Sequence, residues 1–222
     1  MGYKEDFIRF LIRSDALRFG EFTLKSGRVA PYFINTGMFN DGDKVSRLGD
    51  YYAAAVKENF KDSFDAVYGP AYKGIPLCVV TAIGLSRLGI VKGYVFNRKE
   101  AKGYGEKDAL IGMKIDENSS LIMVDDVITS GAAIRESLET LKNNKDPNVK
   151  GIVISVDRQE KGTGEKNALK QVAEELGIPI FPIVKISDII DTLYNKEVDG
   201  KVHIDDEMKK KIDDYRKEYG AE

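Results

Sequence analysis

The stretch Leu121-Ile-Met-Val-Asp-Asp-Val-Ile-Thr-Ser-Gly-Ala-Ala-Ile-Arg-Glu136 decides the fold. It opens on four apolar residues, Leu121 to Val124, short enough to be a buried parallel strand. Asp125 and Asp126 follow, then the small-residue turn Thr129-Ser130-Gly131-Ala132-Ala133. Ile134, Leu138 and Leu141 then recur at helical spacing. The order is strand, acidic pair, tight loop, helix. Such a loop aims free backbone N–H groups at one spot, at the positive end of a helix dipole. Thr129 and Ser130 add hydroxyl donors, and Gly131 lets the backbone approach closely. A phosphate monoester fits that cup. The two carboxylates beside it repel phosphate but suit sugar hydroxyls, or Mg2+ through water. The stretch therefore reads as a ribose-5-phosphate site. The bland alternative is an ordinary strand-to-helix turn with an Asp cap. Neither a Walker A run nor a Gly-x-Gly-x-x-Gly fingerprint occurs in the chain.

Working outward, strands alternate with helices, which predicts a parallel α/β sheet. Ala66 to Tyr68, Gly93 to Phe96, Lys150 to Val156 and Ile180 to Val184 read as further strands. Helices are expected over about Asp43 to Asn59, Ile75 to Leu88, Ile134 to about Asn143, and Glu165 to Leu176. Upstream, Tyr3 to Ala16 reads as an amphipathic helix, and Phe22 to Asn35 as a small irregular sheet or hairpin. The tail from Ser187 reads as two polar helices that pack without chemistry. In parallel sheets ligands bind at the carboxyl ends of the strands. The loop Gly69-Pro-Ala-Tyr-Lys-Gly74 there turns sharply and carries Lys73. Asn97 to Gly112, with Arg98, Lys99, Lys102 and three glycines, is too polar to pack and too long for a routine connection, so it reads as either a lid or a disordered segment. Arg158 follows a strand directly and brings a planar fork suited to a carboxylate.

Composition narrows the classes. The 222 residues suffice for one domain with a real core: a hood over about 1–40, an α/β core over about 43–185 and a helical tail over 187–222. Lys plus Arg is 34 against 36 Asp plus Glu, so no nucleic-acid partner is expected. Cys78 and His203 are the sole residues of their kinds, which argues against a zinc site or a disulfide framework and fits a reducing cytoplasm. No stretch is long and apolar enough for a membrane span, and the first helix is no signal peptide.

These motifs resemble those of the type I phosphoribosyltransferases, in the form carried by the orotate phosphoribosyltransferase family. Arg98-Lys-Glu-Ala-Lys-Gly103 is similar to the family's catalytic loop, and Lys25-Ser-Gly27 with Pro31-Tyr-Phe33 to its hood. The resemblance implies that 5-phosphoribosyl diphosphate (PRPP) is held by Lys25, Tyr72, Lys73, Arg98, Lys99, Lys102, Tyr104, Asp125, Asp126 and the run Val127, Ile128, Thr129, Ser130, Gly131, Ala132, Ala133. It implies that Phe33, Ile34, Thr129 and Arg158 hold orotate, with Lys102, Asp125 and Asp126 catalytic. It further implies a cis Ala71–Tyr72 bond, a Mg2+ ion carried mainly by PRPP, and a homodimer whose lid acts in trans. Three departures stand out: Tyr104 replaces a loop histidine, Ala132 a threonine, and Ile34 a second aromatic over the base. Transfer to another nucleobase, or a PRPP-binding regulator without catalysis, are the competing readings. Arg158 and the hood favour an acidic pyrimidine, and the cationic lid favours an enzyme. No fused decarboxylase is expected in a chain that ends soon after the core.

Overall fold

Leu121 and Met123 point to one face of the central strand, Ile122 and Val124 to the other, and each pair enters a separate buried cluster. This period-two division organises the computed structural model, which describes residues 2–24, 27–98, 109–128, 131–162 and 164–221. The chain runs α1 (Tyr3–Arg13), β1 (Leu17–Thr23), β2 (Val29–Ile34), a 3-10 turn (Thr36–Met38) and α2 (Gly42–Phe60). The core follows as β3 (Ala66–Gly69), α3 (Gly74–Arg87), β4 (Gly93–Asn97), β5 (Leu110–Gly112), β6 (Ser120–Asp125), α4 (Ala132–Asn144), β7 (Asn148–Asp157), α5 (Ala168–Leu176) and β8 (Ile180–Lys185). The tail is α6 (Ile186–Leu193), β9 (Glu197–Val198), β10 (Lys201–Val202) and α7 (Asp206–Tyr219).

The main sheet has the order β5-β4-β3-β6-β7-β8. All pairs are parallel except β4 with β5. From β3 the chain steps to β4 on one side, and from β6 it steps to β7 and β8 on the other. The order reverses between β3 and β6, and that reversal is where open α/β sheets bind ligands. Helices α4 and α5 cover one face through Ile134, Leu141, Leu169 and Val172. On the other face lie Phe7, Tyr52, Leu85, Ile189 and Ile212 from α1, α2, α3, α6 and α7. Strands buried on both faces explain the unbroken apolar runs of β6 and β7.

Several elements differ from the expectations. The parallel sheet carries an antiparallel edge, because Leu110 pairs with Asn97 and Ile111 with Phe96. Part of the Asn97 to Gly112 stretch is thus strand rather than lid. Helix α1 ends at Arg13 because Asp15 takes a left-handed φ of 57° and turns the chain into β1. Hairpin β1–β2 is antiparallel and irregular between Phe19 and Phe22, as anticipated, but its first strand starts earlier, at Leu17. Helix α5 starts at Ala168, where the buried Asn167 side chain accepts from the N–H groups of Leu169 and Lys170. The tail contains the β9–β10 hairpin between its helices. No described helix is long and apolar enough to cross a membrane.

Candidate active site

Parallel pairing puts the ends of β3, β4, β6 and β7 on one edge of the sheet, so four loops open there. Asp125 closes β6, and Asp126 follows it. Asp126 Oδ2 accepts from Lys73 Nζ at 2.6 Å and from Thr36 Oγ1 at 2.9 Å. Its Oδ1 accepts from the Val127 N–H at 2.8 Å. The Asp126 carbonyl accepts from the Ser155 N–H at 3.0 Å and from the Ser155 hydroxyl, locking the acidic turn onto β7. The Asp125 carboxylate accepts from the Asp126 N–H at 2.9 Å, while its carbonyl accepts from the Tyr52 hydroxyl at 2.8 Å. Burial pushes the Tyr52 phenol well up, so it stays a donor.

Burial also pushes the Asp125 carboxyl up to about 6; repulsion from Asp126 adds to this, while the Asp126 N–H and Lys73 oppose it. The native state therefore binds this proton more tightly than the unfolded chain does. Its contribution to stability is full below the ordinary carboxylate pKa and is lost as pH rises through about 6. Asp125→Asn is expected to raise stability by roughly 2 kcal/mol at about pH 8, with the gain vanishing toward about pH 4. Paired denaturant melts of the two proteins at both pH values test this; no gain at the higher pH refutes burial as the cause.

Next to the acidic pair, α4 begins at Gly131, whose φ of 73° and ψ of 5° are left-handed. A β-carbon there would lie 2.8 Å from Val172 Cγ2, so glycine is required twice over. Among the described residues no acidic side chain lies in the first turn of this helix, which begins with Ala132 and Ala133. That keeps the positive end of the dipole available to an anion. Across the crevice, the loop after β3 is equally tight: a β-carbon on Gly69 would lie 2.0 Å from the Gly74 carbonyl oxygen. The Ala71–Tyr72 bond is cis, as the resemblance implies, and Tyr72 is 69% exposed. Asn97 braces this loop, its Oδ1 accepting from the Ala71 N–H at 2.9 Å and the Tyr68 hydroxyl at 3.0 Å. Arg98 lies one residue beyond, with its Nε buried and unpartnered among the described residues.

Arg158 follows β7, and its guanidinium lies 4.6 Å over the Tyr32 ring. It is not a surface ion pair: its Nη2 and Nε donate to the half-buried Glu160 at 2.6 and 2.9 Å. Phe33 is 37% exposed and stacks on Phe22, with ring centroids 5.5 Å apart. Ile34 instead packs against the core, on the opposite face of β2 from Phe33. The pair anticipated over the base thus divides between two faces, and the ring next to Arg158 belongs to Tyr32. Lys25, Lys99, Lys102, Tyr104, Thr129 and Ser130 lie outside the described residues.

Thr36, Tyr52, Asn97, Ser155, Glu160 and Tyr215 join the site without having been anticipated. Tyr52 was legible only as part of a buried helix face; Thr36 and Ser155 have no local pattern that marks them. Among the described residues, no group of three or more His, Cys, Asp or Glu side chains could hold a metal ion. Two adjacent carboxylates, one already paired with Lys73, suit a Mg2+ ion that arrives on phosphate and is reached through water.

A switch-point crevice with an acidic pair on one strand end and a helix N-terminus behind it suits a phosphorylated sugar, and residues 35–184 match the family model of the phosphoribosyl transferase domain. The orotate phosphoribosyltransferase of Clostridium beijerinckii is 47% identical over 220 residues, which are 99% of this chain and 98% of that one. The Vibrio atlanticus enzyme of the same name is 42% identical over 98% of both chains. Among solved structures, orotate phosphoribosyltransferase from Francisella tularensis is similar with a TM-score of 0.84 and 35% identity, covering 97% of this chain and 100% of that one. Within the phosphoribosyltransferases, the chain belongs to the orotate phosphoribosyltransferase family.

Proposed function

We infer that this chain transfers the 5-phosphoribosyl group of PRPP to N1 of orotate, giving orotidine 5'-monophosphate and diphosphate, a pentosyl transfer of pyrimidine (UMP) biosynthesis. The observation that carries the reading is the Thr36–Asp126–Ser155 tie. It joins the hood to the ends of β6 and β7, so that a sugar bound by the acidic pair lies beside the arginine that would receive the base.

Orotate N1 attacks C1' of the ribose as the C1'–O bond to diphosphate breaks, through an oxocarbenium-like transition state. Asp125 and Asp126 accept hydrogen bonds from the ribose 2' and 3' hydroxyls. The backbone from Val127 to Ala133, with the Thr129 and Ser130 hydroxyls, anchors the 5'-phosphate and converts remote binding energy into positioning. Lys25, Lys73, Arg98, Lys99 and Lys102, with the Tyr104 hydroxyl, receive the charge that develops on diphosphate. Lys73 already neutralises Asp126, so one ammonium serves the sugar and the leaving group in turn. Bound Mg2+ would supply further charge neutralisation on the diphosphate, with Asp125 and Asp126 reaching it through water. Arg158 and Thr129 hold orotate beside β2, with Phe33 on the exposed face of that strand and Ile34 supporting it from the core side. Closure of the segment after Arg98 excludes water from a reactive donor.

The protein acts as one domain in the cytoplasm, as a homodimer in which each lid serves the neighbouring site. Exposed Leu88, Val91, Tyr94 and Met113 around the β4–β5 edge support a partner surface. A turnover assay with PRPP and Mg2+, offering orotate, uracil, adenine and hypoxanthine in parallel, tests the function. Diphosphate release with orotate alone is expected. Release with a purine overturns the base assignment, and PRPP binding without release from any base favours a regulator. Arg158→Ala is expected to raise the KM for orotate about a hundredfold, from loss of charge-assisted hydrogen bonds, with the KM for PRPP within about twofold.

A further inference from the structure

We propose that Glu160 is a positioning residue for Arg158, holding the guanidinium in one orientation so that its remaining edge meets the anionic group of the base. The proposal rests on the reading of Arg158 as the base-recognising arginine.

Four donors converge on a single oxygen, Glu160 Oε1. They are Arg158 Nη2 and Nε at 2.6 and 2.9 Å, the Tyr215 hydroxyl at 3.0 Å and the Tyr32 hydroxyl at 3.2 Å. The rings close the cluster: Arg158 lies over Tyr32, and Tyr32 meets Tyr215 edge to face at 5.9 Å. Two sides of the guanidinium are thereby used, one against an aromatic face and one against a carboxylate. The two hydrogen bonds to Glu160 use Nε and Nη2 and leave Nη1 out of that contact. A planar group fixed at one edge and one face presents a defined fork at what remains, with little rotamer entropy left to lose on binding.

The cluster is assembled from three distant parts of the chain: Tyr32 from the hood, Glu160 from the loop after β7, and Tyr215 from α7. The backbone beneath it is held independently of the Glu160 side chain. Lys161 N–H donates to the Tyr219 carbonyl, Ala221 N–H to the Gln159 carbonyl, and Ala168 N–H to the Glu160 carbonyl, at 2.8, 2.8 and 2.9 Å. Asp157 Oδ1 accepts from the Gln159 N–H at 2.7 Å. Substitution of the Glu160 side chain therefore leaves the loop anchored.

Charge and orientation oppose one another at this position, and that opposition makes the role measurable. A carboxylate next to Arg158 competes with an anionic base for the same cation, so charge alone predicts tighter orotate binding once Glu160 is removed. Positioning predicts the reverse.

Steady-state kinetics of the full chain with Glu160→Ala, Glu160→Gln and Tyr215→Phe separate the two. Glu160→Ala is expected to raise the KM for orotate about tenfold while the KM for PRPP stays within about twofold. Glu160→Gln keeps a neutral acceptor for Arg158 and both tyrosines, and is expected to restore most of the loss. Tyr215→Phe is expected to move the orotate KM in the same direction by a smaller factor. An orotate KM that is unchanged or lowered in both Glu160 variants overturns the proposal, as does an equal rise for both substrates, which marks general damage. Arg158→Ala serves as the control. If it leaves the orotate KM unchanged, the reading of Arg158 itself fails; if it raises that KM while Glu160→Ala does not, only the positioning role fails.

Discussion

Lys102→Ala is expected to lower kcat about a thousandfold and to leave the fold intact. The magnitude follows from the role: removing one preorganised donor to a developing anion typically costs two to three orders of magnitude, and diphosphate carries several charges out of the site at once. The assignment of Lys102 comes from the Arg98-to-Gly103 run. Its setting comes from the strands that bracket it. Asn97 pairs with Leu110, and the Arg98 N–H donates to the Ala109 carbonyl at 2.8 Å, so both ends of the segment are tied at the carboxyl edge of β4. A substitution within the segment leaves that ladder standing. Single-turnover kinetics with an unchanged circular dichroism melt give the expected result. Near-normal kcat in the variant removes Lys102 from the mechanism.

Asp126→Asn is expected to lower kcat/KM for PRPP by about a hundredfold or more, with a smaller change in the KM for orotate. The amide keeps the size of the side chain and one acceptor oxygen but loses the charge that holds Lys73 at 2.6 Å. Two interactions then weaken together, the hydrogen bond to a ribose hydroxyl and the placement of a cation at the leaving group. Each is worth on the order of tenfold, and their coupling through one oxygen makes the sum a lower bound. Equal losses for both substrates would instead mean that the hood has been released through Thr36, whose hydroxyl shares that oxygen. Mixing Lys102→Ala with Asp126→Asn protein probes the lid as well. If each lid serves the neighbouring site, a mixed dimer contains one site with both lesions and one with neither. Random exchange then recovers about a quarter of wild-type activity. Lids acting within their own chain recover none.

Much of the molecule was legible because its determinants are local. Apolar runs from Leu121 and from Lys150 mark strands buried on both faces. Gly131 marks a turn only glycine tolerates, and the acidic pair before it marks the strand end. The resemblance of four loops, in order, carried the chemistry to its residues, and the cis Ala71–Tyr72 bond agrees with it. The strand β5 was hidden because three residues between polar stretches carry too little periodicity to register. The tail packs into the core through Ile189, Ile190, Leu193 and Ile212 as expected, but its helical pattern gave no sign that the Tyr215 hydroxyl reaches Glu160.

By itself, then, the sequence determined the strand-to-helix order, the acidic pair at the strand end and the glycine turn after it, since each depends on spacing within a short segment. Only the tertiary structure decided which groups neutralise one another. Lys73 and Thr36 meet on Asp126 across separations of 53 and 90 residues, and Tyr32, Arg158 and Tyr215 meet on Glu160 across as many as 128. Such pairings follow from the reversal of strand order between β3 and β6 and from the hood folding back over the sheet edge. No local pattern records them, because the hydrogen bond that forms depends on where the backbone carries two side chains, and that is settled by packing of the whole core.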